Sequence, residues 1–201
     1  MTIQAIIFDM GGVILRTQNP EPRRKWIERA HVTPDIFFDT VFRSPVARRA
    51  EIGQATDKDV WRHAGQVFGL DDSQLEEFEQ DFWSALAIDA ALVQFIRGLR
   101  PRYKTAVLSN AWPDARRLIE DNLDFRDVVD VMFFSAEEGM AKPDPCFYHL
   151  ATERLQIQPQ QAIFIDDRTD NVEAAQALGM RGVQFQNTQQ TIDEVRAYLE
   201  S

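Results

Sequence analysis

Residues 5–15 read AIIFDMGGVIL, and this stretch decides the fold. Ala5 to Phe8 are apolar and partly β-branched, which is typical of a buried strand. Asp9 follows at once, and two glycines then permit a tight turn. A carboxylate is unfavourable inside a buried strand, so the pattern indicates that Asp9 lies at the edge of a sheet where ligands bind. An Asp before glycines can also serve only to form the turn.

Later short apolar runs repeat the strand pattern and alternate with helix-like stretches. This alternation predicts an α/β fold with a parallel sheet of about five strands and helical crossovers, in which ligands bind outside the carboxyl ends of the strands. The further strands are expected at Thr105 to Leu108, Val131 to Phe134, Ala162 to Ile165 and Val183 to Phe185, and the helices between them at Pro113 to Asn122, Asp144 to Gln156 and Asn171 to Leu178.

The chain between the first two strands is far longer than one crossover needs, and it predicts an inserted helical unit. Thr33 before Pro34 resembles a helix N-cap, and Thr56 with Asp59 resembles a capping box. The expected helices are Pro22 to His31, Pro34 to Phe42, Asp57 to Phe68 and Ser73 to Leu86, and a further helix from Ala90 to Leu99 returns the chain to the sheet. We assign residues 16–87 to this helical cap, and residues 1–15 and 88–201 to the core.

Apolar residues recur at helical spacing inside the insertion. They predict side chains that pack the helices on one another, with the alternative that some of the aromatic residues line a ligand pocket. The two sets are Trp61, Ala64, Val67 and Phe68 on one helix, and Leu75, Phe78, Phe82, Ala85 and Leu86 on another.

Charge and composition narrow the range of partners. The 201 residues carry 32 acidic and 22 basic side chains and a formal charge of −10, which argues against nucleic acid or an anionic membrane as partner. Any phosphate must therefore be held by a local site. The single Cys146, which we expect to be buried, excludes an intrachain disulfide and a cysteine-based metal cluster. No apolar run is long enough to span a bilayer, so we expect a cytoplasmic protein.

Chemically active side chains follow three later strands. Ser109 and Asn110 can hold an anion or simply cap the next helix, and Lys142, in a proline-rich loop, can meet a phosphate or lie in solvent. Asp166 and Asp167 end the fourth strand side by side, which indicates a Mg²⁺ site completed by Asp9, although Asp167 can also act only as a cap. The joint pattern is more specific than any one member.

Asp9, Ser109, Lys142 and the Asp166–Asp167 pair match, in order and setting, the four motifs of the haloacid dehalogenase-like (HAD-like) hydrolase superfamily. The chain resembles that superfamily over essentially its whole length, with a Rossmann-like core and a small helical cap. DDRTDN, residues 166–171, is similar to the branch that includes bacterial sugar-phosphate phosphatases and the N-terminal phosphatase domain of soluble epoxide hydrolases.

The resemblance implies a mechanism. Asp9 would attack phosphorus to form an aspartyl-phosphate, while Ser109, the Asn110 amide and Lys142 hold the phosphoryl group, which also lies against Gly11 and Gly12. Mg²⁺ would be held by Asp9, the Gly11 carbonyl and Asp167, with Asp166 close behind and Asn171 in the place of a further acidic residue. Phosphoryl transfer depends mainly on such positioning and charge neutralisation.

Gly11 departs from the superfamily pattern, which usually has a second Asp two residues after the nucleophile as acid and base. Loss of such a group typically costs about 10²- to 10⁴-fold in rate. In the stretch FRSPVARRAEIGQ, residues 42–54, Glu51 is a candidate substitute, and Arg43, Arg48 and Arg49 are candidates to bind the leaving group. Alternatively, these residues form only a solvated cap surface.

We therefore expect a Mg²⁺-dependent phosphatase of a small phosphomonoester such as a sugar phosphate, acting as a monomer or homodimer. Two alternatives remain open. Because of Gly11, the chain could be a weak or non-catalytic phosphate-binding protein. It could also be a 2-haloacid dehalogenase, although such enzymes lack the paired acids.

Overall fold

The β-structure of the chain consists of one parallel five-stranded sheet and a two-stranded antiparallel ribbon. The computed structural model describes residues 2–100, 102–122, 125 and 127–200. The strands are β1 (Ala5–Phe8), β2 (Leu15–Thr17), β3 (Leu86–Ile88), β4 (Lys104–Ser109), β5 (Val131–Phe134), β6 (Ala162–Asp166) and β7 (Arg181–Gln184). The sheet order is β5–β4–β1–β6–β7, which confirms the predicted fold class.

Helices cover both faces of the sheet and build the insertion. They are α1 (Glu21–Ala30), α2 (Pro34–Phe38), α3 (Pro45–Glu51), α4 (Asp57–Phe68), α5 (Asp72–Ser84), α6 (Ala90–Leu99), α7 (Ala115–Asn122), α8 (Ser135–Glu138), α9 (Pro145–Arg154), α10 (Thr169–Ala177) and α11 (Thr188–Glu200), with a π-helical turn at Asp39–Arg43 and a 3₁₀ turn at Pro159–Gln161. Helices α3, α8 and α11 had not been predicted from the sequence.

Side chains alternate between two apolar layers because successive residues of a strand point to opposite faces. Ile6 and Phe8 pack with residues of α6 and α11 on one face, whereas Ala5 and Ile7 pack with residues of α9 and α10 on the other. The central strand β1 is apolar throughout, as expected for a strand with both of its faces covered.

The insertion has an aromatic cluster of its own. Trp26, Phe37, Trp61, Phe78 and Phe82 are all buried there. Trp112, from the loop after β4, joins this cluster, so the core reaches into the insertion. The packing role predicted for Trp61, Phe78 and Phe82 is confirmed.

The helix-capping residues predicted in the insertion are also confirmed. The Thr33 side chain accepts the Ile36 N–H, and Thr56 and Asp59 form a reciprocal capping box. Two other expectations were wrong: Val67 is 52% exposed, because it lies on the outer side of α4, and Cys146 is exposed in the first turn of α9.

The predicted helix through Leu86 ends at Ser84 instead, and Leu86 begins strand β3. Strand β3 pairs with β2 at the base of the insertion, from Leu15 opposite Ile88 to Thr17 opposite Leu86. The chain therefore leaves the sheet and returns to it through two adjacent strands. Among the described residues, no helix combines the length and the apolar composition that a membrane span requires.

Candidate active site

Three neighbouring strands bring their polar ends together. Strand β1 lies between β4 and β6, and Phe8 is in register with Val107 and Ile165. Asp9, which follows β1, donates its N–H to the Ile165 carbonyl at 2.8 Å. Ser109 and Asp166 end the two flanking strands. Because all three strands are parallel, the polar groups converge at the carboxyl edge, as predicted.

The Asp9 carboxylate is buried and held from one side. Its Oδ1 accepts the Met10 N–H at 2.7 Å and lies 3.0 Å from Nζ of Lys142. Both contacts are to Oδ1, so Oδ2 carries no hydrogen bond within the described part of the chain. Burial raises the pKa of Asp9 to about 6; Lys142 opposes this shift, and the charges of Asp166 and Asp167 add to it.

Lys142 is a fixed cation between two carboxylates. Its Nζ lies 2.6 Å from Oδ2 of Asp166 and 3.0 Å from Oδ1 of Asp9, and the residue is 4% exposed. Burial alone would lower the pKa of Lys142, but the two carboxylates outweigh it and leave the pKa above its usual value. The amine therefore stays charged.

Asp166 is fully buried, and donors occupy both of its oxygens. Oδ2 accepts Lys142 Nζ at 2.6 Å and Asn171 Nδ2 at 3.1 Å, while Oδ1 accepts the Arg168 N–H at 2.9 Å and Asn171 Nδ2 at 3.0 Å. The carboxylate lies behind Lys142 and does not line the cavity in front of Asp9.

Asp167 is exposed at the same edge. One oxygen each from Asp9, Asp166 and Asp167 lie within 4.8 Å of one another, and such a group could hold a metal ion. The Asp167 carboxylate packs on the backbone of Gly12. A Cβ added to Gly12 would lie 2.6 Å from Oδ2 of Asp167, and the φ of Gly12 is +83°. Burial and the charge of Asp166 raise the pKa of Asp167. Hard carboxylate oxygens crowded in this way suit Mg²⁺, so the residues fit the expected cofactor.

Gly11 offers space where the usual acid is missing. A Cβ built on Gly11 has no heavy atom within 4 Å, apart from its chain neighbours, and its φ is not in the left-handed region. The residue is exposed and lines the cavity. The glycine is therefore not required by the backbone.

The predicted site residues line one cavity of about 1020 Å³ between the sheet edge and the insertion, with the exceptions of Asp166, Arg48 and Arg49. Arg43 reaches the cavity as an ion pair with Asp39 at 3.0 Å. Glu51 also lines it, and burial raises the pKa of Glu51 against the opposing charges of Arg168, Arg48 and Lys142. The lining residues predicted from the sequence are Asp9, Gly11, Gly12, Arg43, Glu51, Ser109, Asn110, Lys142 and Asp167.

Sequence reasoning missed how the side chains of Asn110 and Asp57 act. Asn110 bonds the backbone of Lys142 through its side chain, whereas the prediction used only its backbone amide. Asp57, at the start of α4, accepts the Asp114 N–H at 3.1 Å and so joins the insertion to the loop after β4. Neither contact has a periodic signal, because the partners lie far apart in the chain.

The arrangement suits transfer of a phosphoryl group. A carboxylate with one oxygen that accepts no hydrogen bond from the described residues faces a fixed cation and a cluster of oxygen ligands. Positioning and neutralisation of charge are the main requirements of that reaction.

Comparison with known proteins agrees with this geometry. A sesquiterpene phosphatase of Aspergillus oryzae is 31% identical, over 97% of this chain and 96% of that protein. A D-ribitol-5-phosphate phosphatase of Bacteroides thetaiotaomicron is 23% identical, over 99% of this chain and all of that protein. A HAD family enzyme of Bacteroides thetaiotaomicron has the same fold, with a TM-score of 0.78 and 22% identity over 92% of this chain and 95% of that one. That enzyme has also been crystallised with magnesium and inorganic phosphate.

The family model described as haloacid dehalogenase-like hydrolase matches residues 3–179, which is most of the chain. The full-length relative above 30% identity supports the same assignment. The chain therefore belongs to the haloacid dehalogenase-like hydrolase family.

Proposed function

We propose that the protein is a Mg²⁺-dependent phosphatase of small phosphomonoesters. The observation that carries this proposal is the position of Asp9, which lies 3.0 Å from Lys142 and within one cluster with Asp166 and Asp167. The phosphatase names of two relatives that match this chain over nearly its whole length support it.

Each side chain has a proposed role. Asp9 is the nucleophile through Oδ2, and Ser109, the Asn110 backbone and Lys142 hold the phosphoryl oxygens. Asp9, Asp167 and the Gly11 carbonyl bind Mg²⁺, while Asp166 orients Lys142 from behind. When bound, Mg²⁺ supplies positive charge that offsets the charge on the phosphoryl oxygens.

The reaction has two displacements. Asp9 Oδ2 forms a bond to phosphorus as the ester P–O bond breaks, so the alcohol leaves and an aspartyl-phosphate remains. Water then attacks this phosphorus, which releases inorganic phosphate and restores the Asp9 carboxylate. Lys142, fixed by two carboxylates, stays protonated and balances phosphoryl charge in both steps.

We propose Glu51 as the acid that protonates the leaving alcohol and then as the base that activates water. It lines the cavity, and burial raises its pKa, which makes it a better proton donor at a given pH than an exposed Glu. The exposed Arg43 lines the cavity and forms an ion pair with Asp39, and we propose it as a substrate-binding residue at the cavity edge.

We further propose that residues 16–87 form the cap domain and residues 1–15 and 88–201 the hydrolase core. The separate aromatic cluster of the insertion supports this division. A cytoplasmic location, a monomer or homodimer, and no nucleic-acid or membrane partner remain our proposals, in line with the net charge of −10.

The proposal is tested by phosphate release from a panel of cellular phosphomonoesters, with Mg²⁺ and with a chelator. We expect turnover that requires Mg²⁺ and is lost in Asp9→Asn but kept in Asp193→Asn, which removes an exposed carboxylate of α11. Mg²⁺-dependent phosphate binding without turnover would favour the non-catalytic alternative. Halide release from a 2-haloacid without metal would favour the dehalogenase.

A further inference from the structure

The cavity is larger than a phosphate and a small polyol require. Its volume of about 1020 Å³ is at the upper end of the roughly 300–1,000 Å³ that small-molecule pockets span. Asp9, Ser109, Lys142 and Asp167 supply only the part of the wall at the sheet edge. Much of the remaining wall comes from the insertion, from α7 and from the loop after β4, and it must contact the alcohol part of the substrate.

Aromatic rings form a continuous stretch of that wall. The ring centroids of Phe42 and Trp112 are 5.7 Å apart, and those of Trp83 and Trp112 are 6.3 Å apart. Phe42 lines the cavity and is 37% exposed, so its ring is accessible to a ligand. Trp112 follows Asn110 by two residues, so the aromatic wall starts beside the phosphate site.

Aliphatic side chains continue the wall. Leu118 and Ile119 of α7 line the cavity, as do Leu15 and Leu86 from the base of the insertion. A ligand that covers these surfaces removes apolar area from water, and this is a large favourable term in binding.

The arginines along the cavity are already paired within the protein. Arg16 is bonded to Asp89 and Thr188, and Arg23 donates to the Phe82 carbonyl and the Thr17 hydroxyl. Arg43 pairs with Asp39, and Arg168 pairs with Asp170. A polyol would have to lose water from several hydroxyls here and compete for these donors, which is unfavourable.

We infer that the substrate is the phosphomonoester of a bulky apolar alcohol and not of a sugar. This inference rests on the proposed phosphatase function and specifies the leaving group. The cavity wall of Phe42, Trp83, Trp112 and Leu118 would bind the hydrocarbon part, while the sheet edge binds the phosphate.

The test uses n-alkylphosphonates from butyl to octyl, which cannot be hydrolysed, titrated into the Mg²⁺-loaded protein by calorimetry. Each added methylene that is buried should tighten binding about fourfold, or on the order of 10²-fold from butyl to octyl. The heat-capacity change should become more negative along the series. In parallel, kcat/KM for octyl phosphate should exceed that for glucose 6-phosphate.

Two cavity variants test whether the apolar wall causes the dependence of binding on chain length. Phe42→Ala and Leu118→Ala should each weaken octylphosphonate binding about tenfold while butylphosphonate binding changes less. Phe42 is partly exposed and Leu118 half-buried, so both variants should fold. The control Ile36→Ala removes an apolar side chain that is 50% exposed and does not line the cavity, and it should leave the series unchanged.

Binding that does not depend on chain length, or a preference for glucose 6-phosphate, would overturn the inference. Turnover of sugar phosphates alone would leave the phosphatase proposal standing. Chain-length-dependent binding without turnover of any ester would instead support the apolar ligand and contradict the phosphatase.

Discussion

The side-chain amide of Asn110 is bonded at both ends to the backbone of Lys142. Its Nδ2 donates to the Lys142 carbonyl at 2.8 Å, and its Oδ1 accepts the Lys142 N–H at 2.8 Å. This pair of bonds ties the loop that carries Lys142 to the end of β4. The position of the buried cation therefore depends on a residue that need not touch the substrate with its side chain.

Asn110→Ala should lower kcat/KM about 10²-fold, because a shift of the order of 1 Å in a positioned group has that effect. Mg²⁺ binding should persist, since the carboxylates are unchanged. Steady-state kinetics and the Mg²⁺-induced rise in Tm measure the two effects separately. Asn187→Ala, which removes the surface cap of α11, should leave both unchanged. Equal activity in Asn110→Ala and wild type would contradict this positioning role.

Glu51→Gln should lower kcat about 10²-fold if Glu51 is the acid and base, because the amide cannot carry the proton. One limb of the pH profile of kcat should also flatten. Glu28→Gln, at an exposed position of α1, serves as the matched control. An unchanged pH profile in Glu51→Gln would exclude Glu51 from proton transfer.

Gly11→Asp should restore the acid and raise the turnover of Glu51→Gln by about 10²- to 10⁴-fold. The open space around Gly11 admits the side chain without a clash. Failure of Gly11→Asp to rescue Glu51→Gln would argue that proton transfer does not limit the rate.

Gly12→Ala is the opposite case, because its Cβ would meet the Asp167 carboxylate at 2.6 Å and its φ is +83°. We expect Gly12→Ala to weaken Mg²⁺ binding, measured by titration calorimetry.

The stability of the metal-free protein should fall as the pH rises through about 6. The pKa of Asp9 is raised to about 6 from an unfolded value of about 3.9, so the fold favours the protonated carboxyl group. This contribution is fully present below about pH 4 and is lost as the pH rises through the native pKa of about 6, at a cost of about 3 kcal/mol.

Urea unfolding with a chelator, at about pH 4 and about pH 8, measures this loss. Asp9→Asn should not show it, and added Mg²⁺ should reverse it at the higher pH, because the metal stabilises the ionised carboxylate. A loss of the same size in Asp9→Asn would assign the pH dependence to another group.

The sheet and the carboxylates of the candidate site could be predicted because their signals are local. Ala5 to Phe8 and Ala162 to Ile165 are apolar runs that end in a carboxylate, and buried parallel strands have this composition. The Thr56–Asp59 capping box likewise lies within four residues.

Features built from distant or short segments could not be predicted. The amide of Asn110 reaches a partner 32 residues away, and β2 and β3 contain three residues each, too few for a period to appear. The apolar wall around Phe42 and Trp83 depends on the directions in which side chains of the insertion point. Composition and spacing do not contain that information, and for the same reason the position of Val67 was predicted wrongly.

The pairing of Thr17 with Leu86 places the two ends of the intervening segment side by side. A two-residue hairpin turn can join such neighbours. The whole segment from Gln18 to Ala85 could thus be replaced as one unit, in evolution or by design, because its two junctions with the core lie next to each other. Substrate choice could then diverge while the chemistry of Asp9 and Lys142 stayed in place.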